Sequence, residues 1–532
     1  MGQGAKTMRH KVRASLRPVV GFACNQGFVF SLFYLGTNRA LAFGPHAFER
    51  ADLFGTLAFM VVAFVLLRAA SERARAALLS RPLLWCYAAL LVVGSALPTL
   101  AADVSAAGLL VECVLVGMPA GFMLAAWGRA LGARPFAQAT FEVFAGSALG
   151  ATVCLALSLV PVAGVLLALK LLPVGSVLAL RGLAPFDAPR AKEARADAGE
   201  SEGEGSSLSF GDLFATSAQR AETARLSKKI VAGTVLFGLA AGFMETYGSE
   251  PGMASTPTFS ATLLLFVLFC IAALQFIATP AEDAAAPVKE ARRREVRGAP
   301  LPTPTEAEGP LDSVYRLAIL VMMAGFLFVP VLSDFGVPGE AIVLAGYLGL
   351  TYVLVSLFLV MARLTGQDAA LSFARGFTAL FAGEMAGIGL GNVLDVAVPT
   401  GQTPYVVVAC AGLAALFAYL FLFTERDFRA LSVIARDADR FDDACAYIVQ
   451  TCSLSKREAE ILPLALRGRT GERIAAEFFI SKSTVDTHLR RIYTKCGVHN
   501  RQELIDLGER TARAEFPDLA AQDAAPAFRT KR

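Results

Sequence analysis

Residues 454–507, LSKREAEILPLALRGRTGERIAAEFFISKSTVDTHLRRIYTKCGVHNRQELIDL, decide how this chain is read, because caps and apolar spacing place four short helices within them. Ser455 with Glu458 makes an S-x-x-E capping box, which gives partners to backbone N–H groups that a helix start leaves unpaired. The first helix is predicted to run to about Arg467, bent at Pro463, with Gly468 free to take the left-handed conformation that ends it. Thr470 caps a short second helix that carries Ile474 and Ala475 inward. Ser481 then caps a third, from Lys482 to about Cys496, in which Val485, Leu489, Ile492 and Cys496 recur at the spacing of a buried stripe. Its other face holds Ser483, Thr487, Arg490, Arg491, Thr494 and Lys495. Gly497 closes that helix, and Asn500 with Glu503 opens a fourth through Leu507.

Two short helices joined by a tight turn, the second with a basic outer face, fit the helix-turn-helix geometry that lays a recognition helix in the DNA major groove. The stretch also closely resembles the LuxR/NarL/FixJ family of helix-turn-helix domains. The resemblance rests on Arg457, Glu458 and Glu460, on Gly468 with Thr470, on Ile480, Ser481, Thr484 and Val485, on Thr487 beside His488, and on Lys495, Gly497, Val498 and Arg501. It implies a four-helix DNA-binding domain that binds two-fold symmetric double-stranded sites as a homodimer. By position, Asp486, Thr487 and Arg490 take base-facing places, with Thr484 and His488 on the same helix. Ser481, Lys482, Arg491, Lys495 and Arg501 take phosphate-facing ones. Two residues depart from the pattern. Asp486 stands where Lys is common, and a carboxylate there suits a cytosine amino group; Cys496 stands where Leu is usual. The alternative is a module that makes only protein contacts.

The rest of the chain is different in kind. Over 532 residues, 55% are hydrophobic and 18% charged, with a mean hydropathy of +0.54, too apolar for an ordinary soluble protein. The apolar residues lie in about twelve runs near the roughly 20 residues that a bilayer core requires. They fall at approximately 18–36, 51–67, 83–101, 106–127, 138–159, 162–180, 230–249, 259–279, 314–332, 341–362, 376–394 and 404–424. The first, interrupted by Asn25 and Gln26, is the least clear. A cleaved signal peptide is disfavoured there, since no small-residue cleavage site follows.

Basic residues set the orientation. Lys6, Arg9, Lys11, Arg13 and Arg17 precede the first run, and Arg68, Arg73, Arg75, Arg81, Arg129 and Arg134 mark later even-numbered connections, whereas the odd-numbered ones hold little beyond Arg39 and Arg50. The positive-inside rule then puts both termini in the cytoplasm of a multi-pass inner-membrane protein. The expected fold class is all-α: a polytopic helical bundle of six plus six spans and a C-terminal four-helix domain. The expected divisions are a first six-span half at 1–182, a linker at 183–229, a second half at 230–424, a connector helix at 425–453, the DNA-binding domain at 454–510 and a tail at 511–532. Six plus six spans around a cytoplasmic loop resembles the major facilitator transporters in topology. The loop between the second and third runs, LLRAASERARAALLSRP, lacks the glycine- and arginine-rich motif of those transporters, which argues against proton-coupled transport.

Ionisable residues inside the runs are costly in lipid and mark candidate sites. Glu112, Glu142, Lys170, Glu245 and Glu384 are the candidates, with Asn25 and Gln26 as polar companions, and the four glutamates are expected to line a ligand pocket between the halves. The alternative is polar contact between helices, and small-residue stretches such as GEMAGIGLG point to close helix packing. The nine cysteines form no C-x-x-C pair, so neither a metal site nor a disulfide framework is predicted. No nucleotide loop, nucleophile elbow or zinc signature is present, so no cofactor and no enzymatic activity are expected. The segment 425–453 is too short for a receiver domain, which takes on the order of a hundred residues. The expectation is a membrane-integral one-component transcription regulator that senses an unknown small molecule through its lipid-embedded body. The competing reading is a transporter with a regulatory helix-turn-helix tail.

Overall fold

The computed structural model of the chain describes residues 16–31, 40–43, 46–96, 106–160, 162–183, 217–246, 257–278, 310–332, 339–365, 368–397, 405–417, 441, 444–466, 468–478 and 480–513. Those up to 417 belong to one compact unit and those from 441 to another.

The first unit is helical. Helix α1 covers 16–31, and a short antiparallel hairpin of β1 (Leu41–Phe43) and β2 (His46–Phe48) follows it. Then come α2 (Ala51–Ala69), α3 (Glu72–Leu78), α4 (Arg81–Gly94), α5 (Ala106–Gly132), α6 (Phe136–Ser158), α7 (Val162–Arg181), α8 (Ser217–Thr246), α9 (Pro257–Ala278), α10 (Pro310–Leu332), α11 (Gly339–Thr365), α12 (Ala369–Ala397) and α13 (Tyr405–Phe417). Among the described residues, eight helices are long and apolar enough to cross a membrane: α2, α5, α6, α8, α9, α10, α11 and α12. The pair α3 and α4, bent by 50° at its break, makes a ninth if counted as one span. The other expected spans coincide with α1, α7 and α13.

One expectation needs correction. The polar linker was drawn to residue 229, but α8 already begins at Ser217. SAQRAETARLSKK contains neither Gly nor Pro and is rich in good helix formers, so the helix extends beyond its apolar part. The hairpin was not foreseen, and is the only strand pair among the described residues.

Glycines set the closest helix contacts. On α8, a Cβ at Gly238 would lie 2.2 Å from the Leu380 carbonyl oxygen and one at Gly242 2.0 Å from that of Glu384. On α12, Gly383 and Gly387 meet the carbonyl oxygens of Val235 and Leu239 in return, both at 2.2 Å. Only hydrogen fits at such a crossing, and the two Gly-x-x-x-Gly faces let the backbones touch. The expectation that GEMAGIGLG serves packing therefore holds for Gly383 and Gly387. Large apolar side chains point outward as well, with Leu264 54%, Leu320 66% and Leu327 71% exposed. Helices that bury glycine inside and expose leucine outside are solvated by hydrocarbon, not water.

Polar contacts tie helices of this unit together, some of them far apart in sequence. Trp127 on α5 is fully buried with its Nε1 donating to Ser176 on α7 at 2.8 Å, while Arg129 is ion-paired with Asp368 just ahead of α12. The Tyr352 hydroxyl on α11 donates to Gln26 Oε1 on α1 at 2.9 Å.

The second unit holds a helix over 444–451, here α14, followed by α15 (Lys456–Leu466), α16 (Gly471–Phe478), α17 (Lys482–Cys496) and α18 (Arg501–Arg513). Its core joins Ile461, Leu462 and Ala465 of α15, Ile474 of α16, Val485, Leu489 and Ile492 of α17, and Leu504 of α18. Cys445 and Ile448 of α14 belong to the same core. The expected start of a connector helix near Phe428 lies outside the described residues, and its described end is part of the module. The fourth helix runs six residues past the expected Leu507, through Gly508. That glycine fits because a Cβ there would stand 2.7 Å from Leu466 Cδ2, so the helix end packs on α15.

Candidate nucleic-acid interface

The caps read from the sequence are formed. Ser455 N–H donates to Glu458 Oε2 at 2.7 Å, and Glu458 N–H to Ser455 Oγ at 3.4 Å. Thr470 accepts from Arg473 N–H at 3.3 Å, Ser481 from Thr484 N–H at 3.1 Å and Asn500 from Glu503 N–H at 2.9 Å. Glu503 reaches back to the His499 N–H at 2.8 Å. Gly468 and Gly497 take φ values of 74° and 67°, the left-handed conformation that ends α15 and α17.

These caps fix the turn between α16 and α17, which the Ile480 N–H closes on the Ala475 carbonyl at 3.0 Å. Val485, Leu489 and Ile492 are buried, with Tyr493 and Cys496 packed partly against the same core, so the opposite, polar face of α17 points outward. Asp486, Thr487, Arg490 and Arg491 are exposed together along that face. Ser481 and Thr484 are exposed at its start with their hydroxyls 2.7 Å apart, and the Thr487 hydroxyl donates to the Ser483 carbonyl at 2.8 Å. His488 and Arg501 are half-buried.

Two of the expected phosphate contacts carry a second partner. Lys482 Nζ lies 2.7 Å from Glu472 Oε1; the hydrogen bond and its charge hold Glu472 below the usual carboxylate range and push Lys482 up. Both ends are exposed, so water and salt weaken this pair, and a phosphate can replace it. Lys495 is tied differently. Its Nζ lies 2.7 Å from Glu458 Oε2 and donates to the Ser453 carbonyl at 3.2 Å. The Glu458 side chain is only 3% exposed. Burial alone would raise its pKa, but hydrogen bonds from Lys495 and Ser455, with the lysine charge, hold it down to about 2. Sequence reasoning missed this role for Glu458, since no spacing rule joins the start of α15 to the end of α17.

Asp486 is also placed by tertiary contact. A Cβ on Gly471 would lie 3.1 Å from its Oδ1, so this carboxylate sits at the N-terminal end of α16. The partial positive charge of a helix start favours an anion there. Glycine at 471 leaves the room.

In the membrane unit, the four candidate carboxylates separate. Glu142 is fully buried with Oε2 2.7 Å from Arg134 Nε, and Glu112 is half-buried on α5. Glu245 and Glu384 come together: both are buried, the Tyr347 hydroxyl donates to Glu384 Oε2 at 3.2 Å, and Glu245 and Arg50 lie close enough to act on Glu384 electrostatically. Both lie on helices after residue 216, whereas Arg50 directly precedes α2, and next to it the Glu49 N–H donates to Asn392 Oδ1 on α12 at 2.6 Å. Asn25 and Gln26 are buried on α1, whereas Lys170 is exposed on α7. Among the described residues no cluster of His, Cys, Asp and Glu could hold a metal.

This geometry agrees with a family match. Residues 452–507 match the family described as bacterial regulatory proteins, luxR family, and form a helix-turn-helix domain of that type. The oxygen regulatory protein NreC of Staphylococcus aureus strain JH9 is 41% identical over 63 residues, 12% of this chain and 29% of NreC. NreC of strain NCTC 8325 / PS 47 gives the same figures. The chain thus spans under a third of the length of these curated relatives. The chain is similar to the major facilitator superfamily transporter FucP in its outward conformation, at 13% identity and a TM-score of 0.44, over 79% of this chain and 97% of FucP. It is likewise similar to an auto-inhibited peptide transporter of the POT family, at 14% identity and 0.42, over 80% and 97%.

Proposed function

We propose that this chain is a membrane-integral one-component transcription regulator, with both termini in the cytoplasm, that binds a two-fold symmetric duplex as a homodimer and senses a small molecule through its membrane body. The carrying observation is the outer face of α17, where Asp486, Thr487, Arg490 and Arg491 stand exposed over a buried seam in the geometry of a recognition helix. Arg490 reads base edges in this account, and Arg491 and Lys482 neutralise phosphates. The ligand pocket is the group of buried Glu245, Glu384 and Tyr347 with half-buried Arg50 at the seam of the halves, where a bound molecule would favour one arrangement of the halves over another. The family match is to bacterial regulatory proteins.

Crosslinking the full chain to DNA in cells and sequencing the recovered fragments tests this function. Enriched regions sharing a symmetric motif, lost with Arg490→Ala at unchanged protein level, support it; recovery no greater than from cells lacking the chain overturns it. Glu384→Gln that stays in the membrane but no longer responds to the inducing compound supports the pocket. An unchanged response refutes it.

A further inference from the structure

Cys496 is the last residue of α17, and Cys452 follows the last turn of α14, its N–H donating to the Ile448 carbonyl at 2.9 Å. Between Cys452 and α15 stands Ser453 with φ 49°, a left-handed turn that a residue other than glycine rarely takes. The two cysteines are 44 residues apart by number, yet both are half-buried against the same edge of the module's core, their thiols close enough to act on each other electrostatically. A second contact crosses the same joint, from Lys495 Nζ to the Ser453 carbonyl at 3.2 Å. The end of the recognition helix is therefore fastened to the segment that enters the module, and the thiol pair lies beside the fastening.

We propose that Cys452 and Cys496 form a redox site at which a hydroperoxide converts the two thiols into one disulfide, and that this bond weakens DNA binding. The second half rests on the DNA-binding reading above.

The chemistry follows from the pair. The interaction with the Cys496 thiol, opposed by partial burial, holds the Cys452 thiol down to about 7, while the same interaction pushes Cys496 up. At neutral pH Cys452 thus carries far more thiolate than an ordinary cysteine and is the attacking group. Its sulfur bonds to one peroxide oxygen and the O–O bond breaks. The departing oxygen leaves with the electron pair and takes up a proton as water or alcohol, and Cys452 becomes a sulfenic acid. Cys496 then loses its proton to solvent and attacks the Cys452 sulfur; the S–O bond breaks and hydroxide leaves, protonated to water. The two thiols have given up two electrons and the peroxide has accepted them. A reducing cytoplasm reverses the bond by thiol exchange, as suits a signal and not a structural crosslink.

A disulfide sulfur pair sits at about 2.05 Å, much closer than a non-bonded pair. Closing that gap pulls the last turn of α17 toward α14 and disturbs the neighbouring bonds of Lys495 to Glu458 and Ser453, which set the helix's attitude. Buried Cys445, in the core beside the pair, is an internal reference.

The full chain in detergent micelles, titrated with hydrogen peroxide, alkylated and digested, tests the site. The expected product is a Cys452–Cys496 linked peptide that dithiothreitol releases, with Cys445 unlinked. In Cys496→Ser a sulfenic acid that dimedone captures should accumulate on Cys452. In the same samples, retention of random-sequence duplex DNA should fall several-fold on oxidation, recover on reduction and stay constant in Cys452→Ser. The proposal is overturned if no link forms, or if the link forms and DNA retention is unchanged. Reduced protein that retains no duplex would count against the DNA-binding reading, and the peptide map would still decide whether the pair is a redox site.

Discussion

Glu458 and Lys495, 37 residues apart, meet at 2.7 Å, and the same carboxylate oxygen also takes the Ser455 N–H that opens α15. One buried acid thus starts the first helix of the module and holds the end of the recognition helix. Lys495 is thereby a structural cation first, and reaches phosphate only at the expense of that bond.

Removing the acid should loosen the whole module. Glu458→Gln is expected to cost about 1 to 2 kcal/mol, allowing for screening at the half-exposed lysine. The folded pKa of Glu458 is lowered from 4.5 to about 2, so its contribution is complete above the unfolded value and is lost as pH falls from about 4.5 toward 2. Hydrogen exchange at the amides of 454–507 in the solubilised full chain measures both effects. Equal protection in wild type and variant at neutral pH would remove Glu458 from this role.

Arg490 and Arg491 are neighbours with different assignments. Arg490→Ala should cost about 1 to 3 kcal/mol at the preferred site and relax the choice at one base pair. Arg491→Ala should weaken all sequences alike and lower the slope of log affinity against log salt by roughly one unit. Titrations at several salt concentrations separate the two, and identical behaviour would show that the groove-facing side of α17 is misassigned.

Asp486 should trade stability against affinity. With its carboxylate at the start of α16, Asp486→Lys removes a favourable helix-end charge, expected to cost about 0.3 to 1 kcal/mol. The same change adds a cation near DNA, so general affinity should rise and specificity broaden. Loss of binding to every sequence would mean that this position is essential to the interface in another way.

Gly242 should tolerate no side chain. Gly242→Val drives carbon into the Glu384 carbonyl, where a Cβ has 2.0 Å, and should cost more than the roughly 1 to 3 kcal/mol typical of overpacking. Gly389→Ala on α12 meets nothing within 4 Å and is the control. Size-exclusion profiles of the two solubilised variants decide it: a monodisperse Gly242→Val would contradict the crossing.

Local rules made much of this chain legible. Capping boxes, left-handed glycines and the stripe of Val485, Leu489 and Ile492 depend on residues within a turn or two of one another, so the sequence alone determined the four helices and which face of α17 is buried. Hydrophobic run length likewise determined the helical body, because an unbroken apolar run of about 20 residues can satisfy its own backbone in lipid only as a helix. Cys445, Ile448 and Cys452 repeat at three and four, a signal that could have placed α14 with the module. What only the tertiary structure decided joins residues far apart in sequence. Lys495 turned inward to Glu458, Asp486 settled on the start of α16, Glu142 was claimed by Arg134, and Glu245 and Glu384 met across a glycine crossing. The reason is physical: a charged group finds its partner in three dimensions, most stringently where it is buried, as Glu142, Glu384 and Glu458 are, and no spacing along the chain records where that partner will stand.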